Sequence, residues 1–197
     1  MEEKIIVNIL NNLMQDQDLG GDSTKWANWQ SMLTLTTCLM CVKNHGKIVD
    51  ISVMENKKRV NAHPNCKCVF VPMRTKKVGT SSDMGIDGVD VYLFFYNQLP
   101  EYYVSKETAY GAGWKSKSKK LDRVLPGKMI GGDRYFNDDQ KLPTEVNRVW
   151  YEADIDYTGG RRNGKRILYS NDGLIFVSDD HYQTFYEIVG TRSVGIQ

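Results

Sequence analysis

Between positions 152 and 181 the chain carries Glu152, Asp154, Arg162, Arg166 and His181. A carboxylate and an imidazole can serve as general base and general acid. Paired guanidiniums bind phosphate oxygens bidentately and stabilise the charge that builds as phosphorus becomes pentacoordinate. That set suits transesterification of a ribose phosphodiester, with the 2′-hydroxyl as nucleophile and no metal required. Blander readings stay open. A strand Glu beside an Arg also makes a structural ion pair, a His after a hairpin also packs or lies on a surface, and two arginines also solvate a sheet edge.

These residues need elements to bring them together. Val149, Tyr151, Ala153 and Ile155 alternate with Trp150, Glu152 and Asp154, so the second set shares one face of a strand. Asn163-Gly164 reads as a hairpin turn, which returns Arg162 and Arg166 alongside that strand. Arg166-Ile167-Leu168-Tyr169 and Leu174-Ile175-Phe176-Val177 read as further strands around a turn at Asn171-Asp172-Gly173. His181 follows in Asp180-His181-Tyr182. Upstream, Ile86, Val89, Leu93 and Tyr96 recur at helical spacing and stop before Leu99-Pro100, and Ser105 is an N-cap for a short helix towards Gly113. Helices followed by an antiparallel meander give an α+β fold, with N-terminal helices packed on an antiparallel sheet.

All four cysteines lie in the first half of the chain. Cys38 and Cys41 form C-x2-C, and His63, Cys66 and Cys68 form H-x2-C-x-C. Two close-spaced ligand pairs on separate turns are how a chain closes a tetrahedral zinc site. Five candidates compete for four positions: Cys38, Cys41 and Cys66, with His63 or Cys68 as the fourth. Two disulfides or four reduced thiols are the alternatives. A catalytic zinc would want an open position and a nearby base, and neither is evident. Around this cluster, residues 2–16 carry apolar side chains at helical spacing, 23–37 fit a helix or a loop, and 38–53 look strand-like with a turn at Asn44-His45-Gly46. The polar stretch 75–82 reads as a linker. The expected division is therefore a Cys/His module at 1–74, a linker at 75–82 and a second domain at 83–197.

Composition narrows the classes. The 197 residues are 41% hydrophobic and 25% charged, which excludes a disordered or collagenous chain. No apolar run approaches the ~20 residues that cross a bilayer, so no membrane partner is expected. The start, Met1-Glu2-Glu3-Lys4, has no basic stretch leading into an apolar block, so no secretory signal is expected. The expected location is the cytoplasm, or a virion or other vehicle that delivers the chain to a target cell. Net charge is +2, with 11 basic and 8 acidic residues in 1–85 and 15 and 16 in 86–197. Neither half is basic enough to argue for duplex DNA, though a local cluster can still hold phosphate.

From Leu99 to about Phe185 the chain resembles the barnase-like microbial ribonucleases. The carrying segments include Leu99-Pro100, Gly113-Trp114, Pro126-Gly127-Lys128 and Ile130-Gly131-Gly132-Asp133. Further on come Lys141-Leu142-Pro143, Glu152-Ala153-Asp154-Ile155, Arg166-Ile167-Leu168-Tyr169-Ser170 and Asp180-His181-Tyr182-Gln183-Thr184-Phe185. The resemblance implies an endoribonuclease that makes a 2′,3′-cyclic phosphate without a cofactor and then hydrolyses it. It places Glu152 at the general base, His181 at the general acid, Arg162 and Arg166 at the phosphate, and Lys106 at the transition state. Tyr182 falls beside the acid, Asp154 at a carboxylate that holds the arginines, and Asp133 at a structural position near the site. The base-recognition loop falls at Phe136-Asn137-Asp138-Asp139-Gln140, with Asn137 shaping it and Asp139 where the family has a guanine-binding glutamate. Asp138 stands where the family has an arginine and Gln140 where it has glycine, so guanine preference is the least supported part of the resemblance; Gly173 stands where it has an aromatic residue, which loosens packing without touching the chemistry. Besides RNA, the implied partner is an acidic inhibitor of the barstar type covering Arg162, Arg166 and His181.

A second resemblance covers about 25–74. Thr37-Cys38-Leu39-Met40-Cys41, Asn44-His45-Gly46-Lys47 and His63-Pro64-Asn65-Cys66-Lys67-Cys68 resemble the phage Mu-type minor head, or head-morphogenesis, family. It implies a capsid-associated or toxin-leader module, with phage structural proteins as partners. Two further functions stay in view: a capsid-associated protein whose ribonuclease-like fold has lost activity, and a zinc-dependent nucleic-acid binder.

Overall fold

The structure is a computed structural model that describes residues 25–31, 38–52, 63, 64, 66 and 68–190. The helix expected at 2–16 and most of the segment 23–37 lie outside the described residues. The chain divides into two compact units. One comprises, among described residues, Thr75–Phe136 and 148–190, and the other those between 25 and 74 together with Asn137–Asn147.

The larger unit is a seven-stranded sheet ordered β4-β10-β9-β8-β7-β6-β5. Its strands are β4 (Arg74–Lys77), β5 (Tyr103–Val104), β6 (Met129–Tyr135), β7 (Trp150–Asp154), β8 (Arg166–Ser170), β9 (Ile175–Ser178) and β10 (Tyr186–Val189). The β5–β6 pair is parallel, while β6 to β10 pair antiparallel in succession. The core forms where the β7–β9 residues Ala153, Ile167, Ile175 and Val177, with Ile155 just after β7, meet Val89, Val91, Leu93 and Phe94 of a helix, Val89–Tyr96. Each Val, Leu, Ile or Phe side chain among them contributes about 1.5–3 kcal/mol on burial. The helix ends on Asn97 at φ +53°, a left-handed cap, just before Leu99-Pro100 blocks continuation. Its stripe differs from the expected one: Val91 and Phe94 are buried and Tyr96 is half exposed, because the sheet covers more of the helix than a narrow seam. A second helix, Lys106–Gly111, starts on Ser105, whose hydroxyl accepts from the Thr108 N–H, as expected of an N-cap.

The segment expected as a linker is part of this unit. Arg74–Lys77 is an edge strand, Val78 is 1% exposed, and the amides of Gly79 and Ser81 donate to the buried Asp90 carboxylate. Polar composition misled here because an edge strand shows water one full side. The Asn163-Gly164 hairpin also differs. The connection from β7 to β8 runs 155–165 as a loop, and Asn163 organises it by donating to the carbonyls of Ile155 and Asp156. The turn at Asn171-Asp172-Gly173 is as expected, with Gly173 at φ +91°.

The smaller unit holds a three-stranded antiparallel sheet ordered β2-β1-β3, from β1 (Trp26–Gln30), β2 (Ile48–Asp50) and β3 (Val69–Pro72). Its core is Ala27, Cys41, Ile51, Cys68 and Phe70. The stretch after Cys38, expected as strand, is a short helix at Leu39–Asn44. Cys38 caps that helix: its Sγ accepts from the Cys41 N–H, so the C-x2-C spacing becomes one helical turn. The segment Asn137–Asn147, expected in the second domain, belongs to this unit, and the amide of Ile48 donates to the carbonyl of Lys141.

Candidate active site

Strand β7 brings Glu152 and Asp154 to one face, opposite Ala153, which points into the helix-covered core. Register pairs Asp154 with Arg166 and Glu152 with Leu168 on β8. The Asp154 carboxylate is 1% exposed and gathers both arginines. Its oxygens accept from Arg162 Nε at 2.6 Å and a terminal Arg162 nitrogen at 2.7 Å, and Arg166 Nε lies 3.2 Å away. Arg166 also donates to the carbonyls of Asn163 and Lys165. Both guanidiniums are thus fixed before any ligand arrives. Burial alone would lower the Arg162 pKa, and the bond to Asp154 outweighs it and raises it.

Glu152 is held from two sides. Lys106 Nζ lies 2.5 Å from Oε1, and the Tyr182 hydroxyl donates to Oε2 at 2.5 Å. Burial pushes this carboxyl up, yet Lys106, Tyr182 and the Arg166 charge together hold it below the usual carboxylate range. The Tyr182 hydroxyl is pushed well above its ordinary value by burial and by the Glu152 charge.

The helix start that carries Lys106 is held from β6, which is deformed. A Cβ at Gly131 would meet Ala153 and Tyr103 at 2.6 Å, so the backbone approaches closely there. The β6–β7 register shifts between Gly131 and Asp133, and Gly132 sits at φ +87°. This bulge re-aims the strand. Asp133 then accepts from the backbone N–H of Lys106 at 3.0 and 3.1 Å, fixing the helix start that carries the lysine.

His181 lies in the loop between β9 and β10. Asp180 organises that loop by accepting from the Ser178 and Thr184 hydroxyls and from the amides of Gln183 and Thr184. His181 and Tyr182 both take positive φ, +58° and +68°. Consecutive non-glycine residues in that region are strained, and such strain is held where the surrounding bonds over-determine it. The His181 ring is exposed and meets the Tyr182 ring edge-on at 4.8 Å between centroids. Tyr182 therefore touches both the carboxylate and the imidazole. Sequence reasoning missed Tyr135, which stacks on Tyr182 at 5.4 Å and supports it from β6. Only its place two residues after Asp133 on the same strand could have signalled it.

Among residues expected to bind substrate, Tyr182 joins the Glu152 cluster. Phe136 ends the same unit, is 69% exposed, and has the Arg134 guanidinium over its ring. Asn137 and Asp139 belong to the other unit. There Asn137 is buried and bridges the loop through both the amide and the carbonyl of Leu142, and Asp139 pairs with Lys141 at 3.4 Å.

The Cys/His cluster also lies in that other unit. His63 Nε2 is 3.2 Å from both Cys38 Sγ and Cys41 Sγ, and Cys66 Sγ is 3.9 Å from Cys41 Sγ. Cys68 is buried and its thiol donates to Ser31.

A carboxylate held by a lysine and a tyrosine, an imidazole against that tyrosine, and two guanidiniums gathered on one buried carboxylate thus stand on the larger unit. A ribonuclease family model matches residues 92–189. A ribonuclease of Heyndrickxia coagulans is 46% identical over 102 residues, covering 52% of this chain and 94% of that protein. Ribonucleases of Bacillus intermedius and Bacillus pumilus are each 46% identical over 102 residues, and the match spans 63% of their length. The chain belongs to the ribonuclease family and is an endoribonuclease of the α+β, barnase-like class.

Proposed function

We propose that the larger unit cleaves single-stranded RNA by transesterification. Glu152 removes the proton from a 2′-hydroxyl, and the freed oxygen attacks the adjacent phosphorus. Arg162 and Arg166 hold the non-bridging oxygens, and Lys106 stabilises the added charge. The bond to the 5′ oxygen breaks as His181 protonates that oxygen. A 2′,3′-cyclic phosphate remains, and water opens it with the two proton-transfer roles exchanged. Both proton transfers run through side chains, so the step calls for no cofactor. The carrying observation is Glu152: a half-buried carboxylate held ionised by Lys106 and Tyr182 is free to accept a proton. Incubation with RNA dinucleotides, with and without chelator, tests it; the cyclic phosphate should appear in both.

The base-recognition role of Asn137, Asp139 and Phe136 and the preference for guanine belong to this proposal. The Asp139–Lys141 pair and the sign reversal at Asp138 favour a weak or broad preference. For the smaller unit the proposal is one structural zinc on Cys38, Cys41, His63 and Cys66. In a tetrahedral site with ~2.3 Å to sulfur and ~2.0–2.1 Å to nitrogen, ligand atoms stand ~3.5 Å (S to N) and ~3.8 Å (S to S) apart. The 3.2 Å separations of His63 from Cys38 and Cys41 stand near that frame, and Cys66 lies within 4.8 Å of Cys41 and Cys68. His63 Nδ1 sits 2.8 Å from the Pro64 carbonyl, which sets the tautomer that leaves Nε2 facing the thiols. Cys68, whose thiol donates to Ser31, groups with Cys41 and Cys66 and is the alternative fourth ligand. The Cys/His motif also supports reading the chain as the toxin part of a phage-related or delivered polypeptide, restrained by an acidic inhibitor over the arginines. A capsid-associated protein with a degenerate fold is the second reading, and the retained Glu152, Arg162, Arg166 and His181 weigh against it.

A further inference from the structure

One concave surface of the larger unit extends away from the site from Arg162. It is a groove of about 600 Å³ between the turn 115–120 and the loop carrying Gly160, Arg161 and Arg162. Its charged lining is Lys117, Lys119, Lys120, Arg161 and Arg162, and no acidic residue lines it. The three lysines and Arg161 are exposed. Like charges crowd there at a cost that only an anion or solvent relieves.

The walls are built, not loose. Lys115 and Lys119 pair across the turn in a backbone bridge. Asp122 accepts from the amide of Gly160 and from the Tyr157 hydroxyl, tying the loop to the chain just after the lysines. Trp114 is 3% exposed, stacks with Tyr110 at 4.9 Å, and lies under the Arg162 guanidinium at 5.8 Å. Arg162 is at once a wall of this groove and a partner of Asp154. The groove is therefore continuous with the site at a phosphate-binding arginine.

We propose that this groove is a phosphate track for RNA, holding the backbone of nucleotides that flank the scissile one. The inference rests on the ribonuclease reading and names how that site takes a long substrate. Lysines are suited to it because they contact phosphates as mobile point charges with no demand on base identity. A dinucleotide is too short to use the groove, and a longer strand gains affinity from it.

The experiment compares wild type with the triple variant Lys117→Ala, Lys119→Ala, Lys120→Ala, checked for an unchanged thermal midpoint. Binding of a fluorescent 2′-O-methyl dodecaribonucleotide is followed against salt. For single strands each lost phosphate contact should lower the slope of log K against log salt by about 0.7, so the triple variant should lose about 2. In cleavage, KM for a dodecamer should rise several-fold while kcat/KM for a dinucleotide stays within about two-fold. An unchanged salt slope and unchanged dodecamer KM overturn the track. So does unchanged RNA binding with a loss confined to an acidic protein inhibitor, which would make the groove a protein-binding face. A wild type that binds the dodecamer through these lysines yet cleaves nothing would sink the ribonuclease reading and leave the track standing. Triple Lys→Gln substitution at the same positions should reproduce the Ala result, which separates charge from local structure.

Discussion

Lys106 Nζ lies 2.5 Å from Glu152 Oε1, and the same lysine is the first residue of a helix whose start is fixed by Asp133. The charge that lowers the Glu152 pKa is thus delivered by a helix whose start is held by Asp133, the bulge residue that pairs with Glu152 across the strands. Replacing Lys106 with Met should raise the Glu152 pKa and move the acid limb of the pH–rate profile upward. It should also cost about 10²–10³ in kcat, the usual loss of a transition-state charge partner. Lys106→Arg should recover part of both. An unmoved acid limb in Lys106→Met would mean that the lysine does not govern the carboxylate.

The same shift predicts a stability effect. Glu152 has a folded pKa below its unfolded one, so it contributes stability above the unfolded value. That contribution is lost as pH falls through the folded value. Denaturant titrations of wild type and Lys106→Met should therefore diverge above the ordinary carboxylate range and converge in acid. Parallel curves at all pH values would contradict it.

Asp154 is the organising charge of the site. It is 1% exposed, and both guanidiniums depend on it. Asp154→Ala leaves two partly buried cations without their counter-ion, and loss of a buried partner typically costs about 3–5 kcal/mol. The unfolding free energy in urea should fall by that order, with activity falling in the molecules that stay folded. A change under about 1 kcal/mol, the size of an exposed pair, would show that the arginines are held by other contacts.

The smaller unit carries the metal prediction. Elemental analysis of purified protein should find about one zinc per chain. Cys38→Ser and His63→Ala should each release it, and chelation should lower the thermal midpoint of that unit while RNA cleavage persists. Absence of zinc together with disulfides or free thiols would contradict the site.

Much of the active site was legible because it is written in short-range patterns. Period-two alternation put Glu152 and Asp154 on one face of β7, and strand pairing did bring Arg166 opposite Asp154. The Ser105 cap announced the helix that carries Lys106. The misses come from longer-range causes. An edge strand at Arg74–Lys77 looks like a linker because only its pairing with β10 makes it a strand. Cys38–Asn44 looked extended because a single helical turn is too short to show a period. Tyr135 became visible only once β6 was placed beside the Tyr182 loop. Asn137–Asn147 reads as one stretch with its neighbours, and nothing local announces that it packs with the other unit. Gln140 sits at φ +52°, which explains why glycine suits that position and why glutamine there carries strain of about 1 kcal/mol.

The central claim is that Glu152 and His181 are the base and acid of RNA cleavage. The direct measurement is kcat/KM on an RNA dinucleotide for Glu152→Ala and His181→Ala, taken beside their thermal midpoints. Each variant should stay folded and lose ~10²–10⁴-fold in rate, the usual value of a proton transfer. Glu152→Ala should erase the acid limb of the pH profile, and His181→Ala should cost more because the 5′ oxygen then leaves without a proton. If both variants stay folded and cleave within ~10-fold of wild type, well short of that loss, these residues are not the base and acid and the mechanism is wrong.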